Sequence, residues 1–307
     1  MLVMRSTLRP ILRPASLLTA TACGVAITST LLPIRKERSM SWSQPLQQHK
    51  SWPSTAYEPR YASWPYLESD FARQDPSSDA DFYSSPRFVT HIDDAAISTL
   101  REYYATALPR KGTILDICTS WISHYPKDVE AAVSRGDIKV IGMGMNRAEL
   151  DANKVLNHGR VLADLNQKPD LVLALKDAGV ETPTAEKEQL DASTMVVSID
   201  YLTKPVEVLK SLREVTRDGG RVHLVVSNRC FPTKVIARWS KVDEEERLLM
   251  VGDFLHFAGW KGIEILELSN GKVDNSPEEG QGGGLHGLIN FLGLNSRDPL
   301  WVVRGVK

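Results

Sequence analysis

The chain has 307 residues, 42% hydrophobic and 24% charged, with a formal net charge of −1, enough for one large domain or two small ones. Residues 1–40 hold Arg5, Arg9, Arg13, Arg35, Lys36 and Arg38 against Glu37 alone; taking these from 37 bases and 38 acids leaves 31 against 37, a net charge of −6. A body of that sign has no long-range attraction for a phosphate backbone, which speaks against nucleic acid as a partner.

The acid-free, arginine-bearing opening MLVMRSTLRPILRP fits a mitochondrial transit peptide better than a secretory signal. The apolar run that follows, residues 15–34, is about long enough to cross a bilayer, so it is expected either to anchor the chain in a membrane or to be removed. Its six Ser/Thr residues and one Pro keep its hydrophobicity moderate. A start at Met40, which would leave a cytoplasmic protein, is the alternative. Residues 41–80 carry Pro, Ser and Gln without an apolar stripe, as a linker or strap does, with Trp42, Trp52, Trp64 and Tyr66 as docking points.

From about residue 81 the chain is read as one domain, 81–307. Ile97, Leu100, Tyr104 and Leu108 recur at helical spacing behind Asp93 or Asp94. Strands and helices then alternate. TILDIC (113–118), KVIGMG (139–144), RVLADL (160–165), STMVVSID (193–200) and RVHLVVSN (221–228) read as strands. DVEAAVSRG, RAELDANKVL and PVEVLKSLREVT read as helices between them. KGIEILEL (261–268) and PLWVVRGV (299–306) are two more strands, separated by the glycine-rich loop KVDNSPEEGQGGGLHG. This pattern predicts a doubly wound, mostly parallel α/β sheet of seven strands with the last antiparallel and helices on both faces. Cys23, Cys118 and Cys230 form no C-x-x-C pair and the histidines lack zinc spacing, so neither a disulfide framework nor a metal site is expected.

In such a sheet ligands bind beyond the carboxyl ends of the strands, near the reversal of strand order. The residues there begin with Asp116, Cys118 and Ser120 after the first strand. Gly142, Gly144 and Asn146 follow the second, Asp164 and Leu165 the third, and Ser198, Asp200 and Tyr201 the fourth. A carboxylate in that position accepts hydrogen bonds from a ribose, an amino group or water; the plainer reading of Asp116 and Asp164 is that they cap the following loops.

Residues 112–230 resemble a Rossmann-like S-adenosylmethionine-dependent methyltransferase. The most specific stretch is LDASTMVVSIDYLTKPVEVLKSLREVTRDGGRVHLVVSNR, with ILDICTSWISHYP, VIGMGMN and VLADLN in place of the first three motifs. A narrower likeness is to poorly characterised methyltransferase-like proteins with an LD-x-C-x-SW-x-SH-x-P opening and an SNRCFPTK segment. The resemblance implies S-adenosyl-L-methionine as cofactor, with Asp164 facing the adenine amino group. Two features depart from the family pattern. The stretch after Asp116, ICTSWISH, lacks glycine, so Ser120, Ser123 and His124 would supply polar contacts and Trp121 a wall. Gly144 stands where an acid usually grips the ribose, leaving Asn146 to substitute.

Methyl transfer needs positioning, desolvation and sometimes a base, for which Asp200 and His124 are the candidates. Asn228 and Arg229 are further polar groups at the pocket mouth; Tyr83, Phe88 and His91 would lie near it by the family layout, with FPTKVIARW (231–239) as a lid. A small-molecule acceptor is expected. Two other readings compete. A methyltransferase fold kept as an inactive scaffold or assembly factor would explain the lost glycines and acid. An NAD-dependent dehydrogenase would use GMGMNR (142–147) with Asp164, but Arg147 fills the third glycine position and the strand is the second of the array.

Overall fold

The computed structural model describes residues 51–180, 189–272 and 297–307, all within the unit His49–Lys307. The targeting segment 1–40, its apolar run 15–34 and the glycine-rich loop from residue 273 onward lie outside the described residues. Among the described residues no helix is long and apolar enough to cross a membrane, and no group of His, Cys, Asp or Glu is arranged to hold a metal ion.

Eight strands build one sheet: β1 (Ser54–Ala56), β2 (Gly112–Ile117), β3 (Ile138–Gly144), β4 (Gly159–Leu162), β5 (Leu190–Val196), β6 (Thr216–Ser227), β7 (Lys261–Ser269) and β8 (Leu300–Val306). Their order is β1-β7-β8-β6-β5-β2-β3-β4. Strands β2 to β6 pair in parallel, and β8 lies antiparallel between β6 and β7. This is the doubly wound Rossmann-like architecture the sequence predicts, with one correction: the sheet has eight strands, because β1 pairs antiparallel with the outer edge of β7. Strand order reverses between β2 and β5, where the chain returns to the middle of the sheet.

The buried strands read as near-continuous apolar runs because both faces are covered. One face carries α2 (Asp94–Ala107), α3 (Lys127–Ser134) and α4 (Arg147–Ala152); Leu100, Tyr104 and Val129 pack there on Ile114, Val140 and Val225. The other carries α5 (Leu171–Asp177), α6 (Pro205–Val215) and α7 (Glu244–Phe257), with Leu209, Leu212 and Phe254 against Leu115, Ile141 and Leu224. A short α1 (Asp79–Phe82) precedes them all. Helix α2 begins at the expected acid: the Asp93 side chain accepts from the Ala96 N–H.

Residues 51–78 are held down by charge. The carboxylate of Asp253 in α7, fully buried, accepts from Tyr57 Oη, Tyr66 Oη and Arg60 Nη2, each at 2.5 Å. Trp64 stacks on Phe71 (ring centroids 5.9 Å apart), and both contact Phe254. Farther along, Arg73 forks onto Asp79 at 2.7 Å, while the buried Lys234 binds Ser77, Asp75 and Asp79. These ties bring the segment after α1 over the carboxyl ends of the strands.

Candidate active site

A cavity of about 280 Å³ opens at the carboxyl ends of β2 to β5, over the reversal of strand order. Its walls come from the loops after β2, β3 and β4, from Val196 and Val197 at the end of β5, and from the 79–92 and 229–231 segments. Three non-glycine residues lining it have positive φ: Cys118 (+56°), His124 (+56°) and Val197 (+41°). For a β-branched residue that conformation is an outlier, and such strain persists only where the surrounding structure holds it.

Asp116 supplies much of that hold. Its Oδ1 accepts from Thr194 Oγ1 and its Oδ2 from Ser123 Oγ, both at 2.7 Å. Asn153 Nδ2 donates to Ser123 Oγ (2.9 Å) and to the Ser120 carbonyl (3.0 Å). Thr119 closes the loop, its N–H donating to the Met143 carbonyl and its hydroxyl to the Asp116 carbonyl. The loop is thus fixed by side chains where a glycine turn was missing. Burial pushes the Asp116 carboxyl up to about 6, against hydrogen bonds from Ser123 and Thr194 that favour its charge. Asp116 lines the cavity, and each of its oxygens already accepts one hydrogen bond within the fold, so its first role is to position the loop.

Other expected ligands are also placed by the structure. Asn146 lines the cavity, but its Oδ1 caps α4 by accepting from the Glu149 N–H and its Nδ2 donates to the Tyr83 and Ser84 carbonyls. Its amide hydrogens are both used, which leaves one acceptor site on Oδ1 for a ribose hydroxyl, fewer than a carboxylate offers. Gly144 also lines the cavity, and a Cβ there would lie 2.2 Å from the Thr119 carbonyl oxygen. The glycine therefore admits the loop rather than a ligand. Gly142 is not in the wall at all; it makes room for Leu156 on the α4 face. Trp121 is also outside it, turned toward Phe88 with its Nε1–H on the Val89 carbonyl.

Cys118, Ser120, Leu165 and Ser198 border the cavity, as does Asp164, which sits in the loop after β4 and takes the Asn166 and Gln167 N–H groups on one oxygen and Gln167 Nε2 on the other. Burial and the charges of Asp116, Asp200 and Asp79 push the Cys118 thiol up to about 12, which removes it as a nucleophile. Asp200, proposed as a base, lies fully buried outside the cavity lining, and burial raises its carboxyl to about 8. A group that holds its proton at neutral pH and does not reach the cavity is no base.

His124 does line it. Burial and the charge of Arg101 lower its pKa to about 4, keeping the ring neutral, and its buried Nδ1 has no partner. Among the cavity residues only one other buried side-chain atom shares that condition, Arg87 Nη1. Sequence reasoning missed Arg87 and Glu149. The latter sits at N3 of α4, three residues after its Asn146 cap, a spacing that marks a capping acid. Its two oxygens accept from the Arg87 N–H (2.6 Å) and Ser120 Oγ (2.7 Å) and face the cavity. Tyr83, His91, Arg229 and Phe231 join the rim; Arg229 is paired with Asp298 at 2.7 Å.

No protein-family model matches the chain, and no curated protein matches it in sequence. Among solved structures it is similar to a SAM dependent methyltransferase from Archaeoglobus fulgidus, with 13% identity and a TM-score of 0.44 over 70% of this chain and 94% of that one. Geranyl diphosphate C-methyltransferase from Streptomyces coelicolor shares 11% identity and a TM-score of 0.41, over 74% and 96%. Phosphoethanolamine N-methyltransferase 2 from Haemonchus contortus shares 11% and 0.41, over 75% and 60%.

Proposed function

We propose that this chain is an S-adenosylmethionine-dependent methyltransferase acting on a small-molecule acceptor, and that its basic, acid-poor N-terminal segment directs it to mitochondria. One observation carries the enzymatic reading: the cavity lies at the carboxyl ends of β2 to β5, where strand order reverses, in a sheet whose last strand is antiparallel. The chemistry of the lining supports a cationic nucleoside. Asp116, Glu149 and Asp164 give that part of the wall a negative character, while Met143, Met145 and Leu165 offer apolar surface to a base. Glu149 and Asp164 would hold the ribose and the adenine amino group, since each carboxylate has acceptor sites beyond those in use.

When bound, the sulfonium would supply an electrophilic methyl group. The chain's own contribution is then placement. The rigid loop Cys118–His124 shields one side from water, and His124 Nδ1 orients the acceptor by a hydrogen bond. The dehydrogenase reading is weakened at the start of α4, where Asn146 already caps the Glu149 N–H, and by Gly142 and Gly144 of β3, which serve internal packing. The scaffold reading is favoured by one observation, the commitment of Asp116 and Asn146 to internal bonds.

Calorimetric titration with S-adenosylmethionine, S-adenosylhomocysteine and NAD separates the three. The proposal requires both sulfur nucleosides to bind and NAD not to. Glu149→Gln should weaken them about tenfold, the loss of a charge-assisted hydrogen bond. Binding of NAD alone, or of none of the three, overturns it.

A further inference from the structure

Resting on the methyltransferase reading, we infer that the acceptor carries a carboxylate and that Arg87 is the residue that selects it. Arg87 reaches the cavity from the segment after α1. Its guanidinium carbon stands 4.5 Å from the Phe82 ring centroid and 5.5 Å from those of Tyr83 and Phe231. Aromatic faces fix and partly stabilise a cation but do not neutralise it. Of its terminal nitrogens, Nη2 donates to the Phe82 carbonyl at 3.0 Å, and Nη1 is buried without an acceptor.

The contrast with its neighbours is chemical. Arg60, Arg73, Arg229 and Arg238 each meet a carboxylate, whereas among the described residues Arg87 forms no ion pair. Glu149 stands beside it but accepts from its backbone N–H, with its second oxygen on Ser120. A buried guanidinium nitrogen without an acceptor is costly, and an oxyanion from a ligand removes that cost. The planar guanidinium matches a carboxylate in shape as well as charge. His124 Nδ1, the other unpartnered atom of the same cavity, is a second donor for that ligand in the appropriate tautomer.

Size narrows the class. Ligand pockets span about 300–1,000 Å³, and this cavity holds about 280 Å³. An acceptor that shares so small a cavity with a nucleoside must itself be a small acid. The lining therefore divides by charge, with acids at the strand ends for a cationic donor and Arg87 in the rim for an anionic acceptor.

The test uses the full chain saturated with S-adenosylhomocysteine and titrates benzoate, succinate, inorganic phosphate and, as a neutral control, benzamide. A carboxylate should bind and benzamide should not. Arg87→Gln should weaken carboxylate binding at least tenfold and Arg87→Lys less, while affinity for S-adenosylhomocysteine stays within about twofold of wild type. Equal binding of benzamide, a preference for phosphate, no carboxylate binding, or unchanged binding in folded Arg87→Gln overturns the inference. If S-adenosylhomocysteine itself fails to bind the wild-type chain, the methyltransferase reading is what has failed.

Discussion

Asp116→Asn should stabilise the fold at alkaline pH. The carboxyl titrates near 3.8 in an unfolded chain and is pushed up to about 6 by burial in the fold. The folded state therefore prefers the protonated form, and ionising it there costs about 3 kcal/mol. That stability is fully present below pH 3.8 and is lost as pH rises through about 6. An asparagine keeps the shape and carries no charge. Its Oδ1 accepts from Ser123, and its Nδ2 donates to Thr194 Oγ1, which can turn its own proton toward Tyr125 Oη, 2.9 Å away. Allowing about 1 kcal/mol for a less favourable hydrogen-bond arrangement, the variant should gain about 2 kcal/mol at about pH 8. Urea unfolding of both proteins at about pH 5 and pH 8 reads this as a difference that grows by about 1–2 kcal/mol with pH. A difference independent of pH, or a variant less stable than wild type at pH 8, would refute the argument that burial of this charge outweighs its hydrogen bonds.

Two further outcomes follow from the packing. Asp253→Ala leaves Tyr57, Tyr66 and Arg60 facing a buried gap, which should cost about 3–5 kcal/mol in chemical denaturation and expose residues 58–72 to limited proteolysis; a wild-type midpoint would show that these ties are idle. Gly144→Ala sets a Cβ against the Thr119 carbonyl, and should cost about 1–3 kcal/mol and abolish calorimetric binding of S-adenosylhomocysteine, whereas retained binding would mean the loop tolerates displacement.

Strands β2 to β6 were legible because buried parallel strands must be apolar along their whole length, as Ile114, Leu115 and Ile117 are. Strand β1 was not, since Ser54, Thr55 and Ala56 are all exposed and the strand forms through backbone pairing alone. Helix α7 carries no single apolar stripe: Leu248, Met250, Val251, Phe254 and Leu255 are all buried because the sheet, α6 and the 51–78 segment surround it. In the site, the strand-end residues Asp116, Asn146 and Asp164 are visible in the sequence as polar groups. Their partners are less so, because Thr194 meets Asp116 through the register of β2 with β5 and Ser123 through the path of the loop, while only Gln167 is close to its partner in sequence. Glu149 had a signal in its spacing from Asn146. Arg87 had none, since what distinguishes it is the acceptor it lacks.

The pairing of β1 with β7 also bears on how the chain behaves at high concentration. Ser54–Ala56 cover the outer backbone groups of β7 at Leu266, Ile265 and Glu264, with the Glu267 N–H on the Pro53 carbonyl and the Tyr57 N–H on the Ile263 carbonyl. A nine-residue strand left bare at a sheet edge is a template for another molecule's strand. A proteolytic nick that freed residues 51–57 would therefore turn a monodisperse solution into one prone to intermolecular β-aggregation, with the cavity itself untouched.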